Sequence, residues 1–473
     1  MPIYWKDTPR KLLNQNLALL LVLFGILLVS VSMGPFQNWD TQIEYNAASA
    51  IIKWGMPYTN SNGLLINQPP LGFYIEASFL KIFGSSIDTG IVVTTLFGLG
   101  CAILTYKIGE LFYGKSTGVL AAALFGMTPW HLIMSRSFLI DVQCLFFSLL
   151  FLLVGLAAEL KKSFRLFAVS GVLFAIAFMT KFYAVFALIP LFLLYVHHKP
   201  TGLKRTLSWI GVFFSPVILS ALLWYQIFTG QGLLSVLIHD DFVSHNLIGV
   251  TPSYFFVANF LLNYAIGWFF AAAAFLSFII CFTWKKLFSK ILVFDLVCLL
   301  TIAAVVSVNT FLGAGLDLQP PYYSAIKYSY QSLPFFALLA ASLAGKSFSL
   351  FNSTNSSKKL RKVPLFSLAL LGLVLLGLSM FVNMYHTHQY SAWNYLLFRV
   401  TLNASVGSSF FNPTPIGGGS FQMGIQYLGF AFVLCGLILQ AGLRLVVAKV
   451  DVFSRALESN LSSGYSFFDS DVR

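Results

Sequence analysis

The sequence predicts an all-α polytopic membrane protein of about twelve transmembrane helices, and three observations predict it. Hydrophobic residues make up 58% of the 473 residues and charged ones only 10%, against about 25% charged in an ordinary soluble domain. Phe alone occurs 49 times and the mean hydropathy is +0.81, more apolar surface than so few charges could keep in water. Finally, the apolar stretches run about 18 residues or more almost without charge, the length a helix needs to cross a hydrocarbon core of about 30 Å. A membrane β-barrel is excluded, because its strands alternate polar and apolar residues and these runs are apolar on every side.

Spans are predicted at about 15–33, 88–106, 116–133, 141–158, 165–180, 182–196, 207–227, 264–284, 290–309, 324–344, 364–383 and 424–443. The first could be a cleaved signal peptide, but it is long for one and no A-x-A-like site follows Met33. An even number of crossings puts both termini on one side, and the loop charges say which. Lys6, Arg10, Lys11, Lys107, Lys115, Lys161, Lys162 and Arg165 fall on one set of loops. So do Lys199, Lys204, Arg205, Lys285, Lys286, Lys290, Lys346, Lys358, Lys359, Arg361, Lys362, Arg444, Lys449 and Arg455. Only Lys53, Lys81, Arg136, Lys181, Lys327 and Arg399 fall on the other set. Basic loops stay cytoplasmic, so both ends are expected in the cytoplasm of a multi-pass protein of the cell membrane. The same bias explains the net charge of +13 without nucleic acid as a partner. The five cysteines lie inside apolar runs without metal-like spacing and read as small buried hydrophobes.

The expected organisation is a transmembrane core over 1–345, C-terminal transmembrane helices over 346–450 and a cytoplasmic tail over 451–473. The core carries an external loop at 34–87 with two helical patterns. In the first, Ile43, Ala47, Ile51 and Trp54 recur at helical spacing beside polar Asn46, Ser49 and Lys53, as in a helix lying in the membrane interface. The second, about 73–83, is rich in Phe and ends at Gly84. Between them Gly55, Pro57, Gly63 and Pro69-Pro70 forbid continuous helix.

Polar residues are scarce, so their placement is informative. Asp40 sits just beyond the first span, and Thr41-Gln42-Ile43-Glu44 fits a capping box, so capping and chemistry are both open for Asp40 and Glu44. Arg136 and Asp141 flank the turn between the third and fourth spans. An acid costs about 2.5–3.5 kcal/mol at the centre of a membrane helix and less near its end, so such a residue is either paired or functional. The bland alternative is an Arg136–Asp141 pair across the turn. Lys181 ends the fifth span with no acid near it in sequence, and could simply snorkel. Lys327 opens the tenth among Tyr322, Tyr323, Tyr328 and Tyr330, which could be only an aromatic belt. His239, Asp240, Asp241 and His245 match no established metal spacing and read as a solvated loop. Asp40, Glu44, Arg136, Asp141, Lys181 and Lys327 nonetheless all fall at one membrane face, where acids and cations together suit an anionic, lipid-linked substrate.

The motifs also come in a familiar order. An acid after the first span is followed by Tyr45, an Ala-rich helix ending Gly55…Pro57-Tyr58, and Pro69-Pro70-Leu71 before an aromatic helix ending Phe83-Gly84. Then come Ser135-Arg136-x4-Asp141, Thr180-Lys181, and Lys327-Tyr328 upstream of Leu333-Pro334. Over about residues 15–345 this resembles the GT-C fold membrane glycosyltransferases. It is most similar to the dolichyl-phosphate-mannose protein mannosyltransferase superfamily and its bacterial relatives that move aminoarabinose to lipid A. In two places the chain departs from that pattern: Asp40 is followed by Thr41 where the family often has Glu, and Gln68 stands where it has the Lys of Lys-Pro-Pro.

The resemblance implies transfer of a sugar from a polyprenyl-phosphate carrier, with inversion, to a hydroxyl on protein, lipid or glycan at the external face. Asp40 would be the general base and Asp141 the second catalytic acid. Glu44, Tyr45, Arg136, Lys181, Lys327 and Tyr328 would be substrate-binding, the cations meeting the carrier phosphate. No cofactor or metal ligand is assigned, and a divalent cation is left open. Two other classes fit parts of the sequence. A transporter or flippase for a lipid-linked solute would be expected to show repeated halves and midplane charges, neither of which is evident. A membrane scaffold would not need Asp40 and Asp141 on one face.

Overall fold

The computed structural model describes residues 9–33, 35, 39–59, 63–64, 68–197, 202–230, 232, 256–313, 327–353, 367–368, 370–385 and 422–442. The His239–His245 cluster and the C-terminal tail lie outside them. The described chain is a multi-pass membrane protein, nearly all helical. Its one sheet is a hairpin of two short strands, β1 (Tyr58–Thr59) and β2 (Gly63–Leu64), paired antiparallel with Tyr58 opposite Leu64.

Helix α1 (Pro9–Ser32) leads to α2 (Trp39–Trp54), and the hairpin then joins α2 to α3 (Leu71–Phe83). These are the two helical patterns of the 34–87 loop. Helix α3 starts directly after Pro69-Pro70, where proline can open a helix but cannot continue one. It ends at Gly84, whose φ of +109° is open to a residue without Cβ. Helix α2 packs on α3, and α3 packs in turn on α4 (Ile87–Tyr113), α7 (Ile140–Lys161) and α8 (Phe164–Thr180).

The third predicted span is not one helix. It is α5 (Lys115–Gly126) and α6 (Pro129–Ser135), bent by 67°. Proline at the first position of α6 has no N–H for the helix before it, and a hydropathy scan does not register that break. Helix α7 carries its charges at its ends: Asp141 in the first turn and Lys161 in the last, where the helix dipole favours each, and Glu159, which pairs with Lys162. A 3-10 turn (Phe182–Ala187) and α9 (Leu188–His197) follow α8, and α10 (Leu203–Ala221) passes into a π-helical segment (Leu222–Phe228). The later helices are α11 (Trp268–Thr283), α12 (Lys285–Gly313), α13 (Leu333–Ser353), α14 (Leu370–Tyr385) and α15 (Gln422–Gly442). Helices α1 and α15 touch backbone to backbone, since a Cβ on Gly25 would lie 2.6 Å from the Gly429 carbonyl oxygen. Close approach through small residues is how membrane helices associate when lipid removes the hydrophobic drive.

Six of these helices are long and apolar enough to cross a membrane alone, and the bent pair would make seven. Five further apolar helices are shorter, at 10–17 residues.

Lys346 corrects a second expectation. It was placed in a cytoplasmic loop, but α13 continues past it and buries it. Its ammonium donates to Asp295 on α12, to the Ser277 carbonyl at 3.0 Å and hydroxyl at 2.7 Å on α11, and to Ser342 Oγ at 3.0 Å. Tyr113 of α4 donates to the other Asp295 oxygen at 2.6 Å. Four helices are thus tied by one satisfied buried charge pair. Asp295→Asn strands the lysine charge and is expected to cost about 3–5 kcal/mol, read as a lower thermal midpoint in detergent. Adding Lys346→Met, which removes the stranded charge, should recover most of that loss.

Candidate active site

Five of the sequence-predicted residues meet in one cluster. Asp40 enters from the first turn of α2, and Glu44 lies one turn further along the same helix. Asp141 enters from the first turn of α7. Lys181 is the residue at which α8 stops: its backbone turns extended (φ −161°, ψ 142°) while its N–H still donates to the Ala177 carbonyl. Lys327 lies just before the 3-10 turn Ser329–Ser332 that opens α13.

The charges alternate. Lys327 Nζ is 2.5 Å from Asp40 Oδ2 and 3.9 Å from Asp141 Oδ2. Lys181 Nζ is 2.7 Å from the same Asp141 oxygen and 3.7 Å from Glu44 Oε1. The series runs Asp40, Lys327, Asp141, Lys181, Glu44. Four members are buried, and Asp40 alone is open, with 27% of its side chain exposed. Burial pushes the Glu44 carboxyl up from its ordinary 4.5 to about 7, against the pull of Lys181.

Tyr328 floors the cluster. Its ring centroid lies 5.7 Å from Lys327 Nζ and 5.8 Å from Lys181 Nζ, within cation–π range of both. It also stacks on Tyr183 at 3.3 Å between centroids, tying the segment after α8 to the one before α13. Tyr183 escaped the sequence reading because its partner is far along the chain.

Two expected residues have other partners. Tyr45 donates its hydroxyl to the Ser85 carbonyl at 3.0 Å and meets Phe138 edge-on. Arg136 reaches Thr95 Oγ1 at 3.3 Å and feels the Asp88 carboxylate, while Asp141 pairs with lysines, so the expected Arg136–Asp141 turn pair gives way to longer-range partners. The capping box is also absent: α2 begins at Trp39, which puts Thr41 inside the helix, and Glu44 accepts from the backbone N–H of Ile140 at 2.8 Å.

The structure adds polar groups that the sequence reading left without a role. Buried Glu76 on α3 accepts from Gln143, two residues past Asp141. His131 Nδ1 and the Tyr330 hydroxyl are 2.6 Å apart in the core beneath α6. Among the described residues no group of three His, Cys, Asp or Glu side chains is arranged to hold a metal ion. The carboxylates of the cluster face lysines instead.

Away from the cluster, a cavity of about 370 Å³ is lined by Val185, Leu188, Phe192, Tyr195, Ile210 and Phe213, and by Glu159 near the end of α7 opposite Asp141.

Residues 67–225 match the family model described as dolichyl-phosphate-mannose-protein mannosyltransferase. That segment holds Arg136, Asp141 and Lys181, while Asp40, Glu44 and Lys327 lie outside it. Among curated relatives, "Putative mannosyltransferase YycA" of Bacillus subtilis (strain 168) is 26% identical over 208 residues, 42% of this chain and 30% of that protein. "Putative mannosyltransferase YkcB" of the same organism is 24% identical over 37% of this chain and 26% of its own length. The match thus spans less than a third of these relatives. Among solved structures, ArnT from Cupriavidus metallidurans bound to undecaprenyl phosphate superposes with a TM-score of 0.51 at 14% identity, covering 90% of this chain and 77% of ArnT. The oligosaccharyltransferase AglB from Archaeoglobus fulgidus, in complex with an inhibitory peptide and a dolichol-phosphate, gives 0.50 at 13% identity, over 78% of this chain and 55% of AglB. Over 67–225 the chain is thus similar in sequence to the mannosyltransferase family model, and over most of its length it shares the fold of ArnT.

Proposed function

We propose that this protein transfers a sugar from a polyprenyl-phosphate carrier to a hydroxyl acceptor, with inversion at the anomeric carbon, at the external face of the cell membrane. The observation that carries the reading is the alternating cluster with a single open carboxylate. Lys181 and Lys327 sit where a phosphate could take both, and Asp40 is the one acid that an acceptor in solution can reach. ArnT and AglB, which share the fold, were solved with undecaprenyl phosphate and a dolichol-phosphate.

When the carrier phosphate takes Lys327, Asp40 is released to act as a base. The acceptor oxygen attacks the anomeric carbon as Asp40 takes its proton. The bond from that carbon to the phosphate oxygen breaks, and the electron pair leaves with polyprenyl phosphate, whose charge the two ammonium groups stabilise. About twelve crossings, α2 and α3 in the outer interface and both termini in the cytoplasm complete the topology, on the strength of the loop charges.

The test is transfer in membranes from a pool of radiolabelled polyprenyl-phosphate sugars. Label moving to protein, lipid or glycan supports the reaction class and names the acceptor class. No transfer from any donor by folded protein that binds the lipid would overturn it in favour of lipid transport.

A further inference from the structure

We propose that Glu44 is a positioning residue that fixes the start of α7, and with it Asp141, through one carboxylate oxygen, and takes up a proton on the other when a phosphate settles on Lys181 and Lys327. The inference rests on the carrier reading above and deepens it.

Helix α7 has no cap of its own. Leu139 stands at its N-cap and offers no side-chain oxygen, so the first N–H groups need another acceptor. Glu44 supplies one from α2, with Oε2 2.8 Å from the N–H of Ile140. The next residue is Asp141, so this bond sets where the central carboxylate of the cluster begins.

The second oxygen is placed differently. Glu44 is 1% exposed, and its Oε1 is buried without a hydrogen-bond partner, 3.7 Å from Lys181 Nζ. A charge held this way depends on that lysine, since a buried carboxylate lacking hydrogen bonds is costly without a nearby cation. The other ionisable groups acting on it are Asp40, Asp141 and Glu76, which disfavour its charge, and Lys327, which favours it.

Two lysines face three carboxylates in the cluster, a net charge of −1 when all are ionised. A carrier phosphodiester adds another negative charge and draws both ammonium groups toward itself. Protonation of Glu44 from solvent returns the cluster to its former charge, and Oε1 has no hydrogen bond to lose. Its carboxyl already titrates near 7, so the coupling falls in an accessible range.

The sign follows from linkage. The bound state holds the proton more tightly than the free one, so affinity is constant below about pH 7 and falls as pH rises above it, by about tenfold per unit at most. The probe is a geranylgeranyl methyl phosphodiester, whose single phosphate ionisation lies far below this range. Its binding is measured in detergent by calorimetry from pH 6 to 9, in buffers of different ionisation enthalpy.

For wild type, the expected result is weakening above pH 7 with uptake approaching one proton. Glu44→Gln keeps an acceptor for Ile140 but cannot ionise, so it should bind with no slope and no proton uptake. Glu44→Ala loses the acceptor as well and should bind about tenfold more weakly than Glu44→Gln at every pH, likewise without slope. A slope that persists in Glu44→Gln, or wild-type binding without proton uptake, overturns the inference and leaves the carrier reading standing. Wild type that binds no phosphodiester at any pH overturns the carrier reading itself. Should Glu44→Gln not fold, proton uptake by the wild type alone decides.

Discussion

Asp40→Asn is expected to lower the turnover of sugar transfer by about 10²–10⁴-fold, the contribution of a positioned general base, with carrier binding within a few-fold of wild type. Asn matches Asp in shape, and its carbonyl oxygen can still accept from Lys327, which lies 2.5 Å from the native carboxylate. What it cannot do is receive a proton. Removing the charge also weakens the internal competitor for Lys327, so an anionic carrier should meet no new barrier. The loss therefore belongs in kcat and not in KM, the pattern of an interaction made only in the transition state. Full activity in this variant would remove Asp40 as the base. Equal loss of binding and turnover would make the Asp40–Lys327 pair a structural tie between α2 and the segment before α13.

The parts of this molecule that are local in sequence were legible in it. The 3.6-residue pattern of Ile43, Ala47, Ile51 and Trp54 became α2, and Gly84 ended α3 where a left-handed backbone was needed. Lys181, read as the end of a span, does end α8. The parts that failed are those in which a distant partner overrides a local preference. Glu44 fits a capping box on its own helix, yet α2 starts two residues before Thr41 and the carboxylate serves α7 instead. Arg136 and Asp141 are neighbours across a turn, but lysines from two other segments outcompete the arginine. Lys346 marks the end of a span in any hydropathy scan, because the acceptors that make its burial tolerable come from three helices. Sequence distance hides such partners, and charge alone does not say whether a side chain meets water or an acid.

Lys181→Met should have the largest effect on the carrier itself. Lys181 is the hub of the cluster, between Asp141 at 2.7 Å and Glu44 at 3.7 Å, above the ring of Tyr328. Truncating one partner of a buried charge pair costs about 2–5 kcal/mol of binding, which corresponds to a carrier Kd at least about 30-fold weaker at 1.4 kcal/mol per decade. The same change leaves two buried carboxylates facing each other, so the folded state should lose about 3–5 kcal/mol as well. A double variant separates the two effects. Lys181→Met with Asp141→Asn removes both charges of the closest pair that Lys181 makes, and its thermal midpoint in detergent should rise back toward wild type. Carrier affinity should not follow, because a phosphate needs the ammonium that is still missing. If affinity recovers together with stability, the lysine holds the fold and not the phosphate, and Lys327 would carry the anion alone.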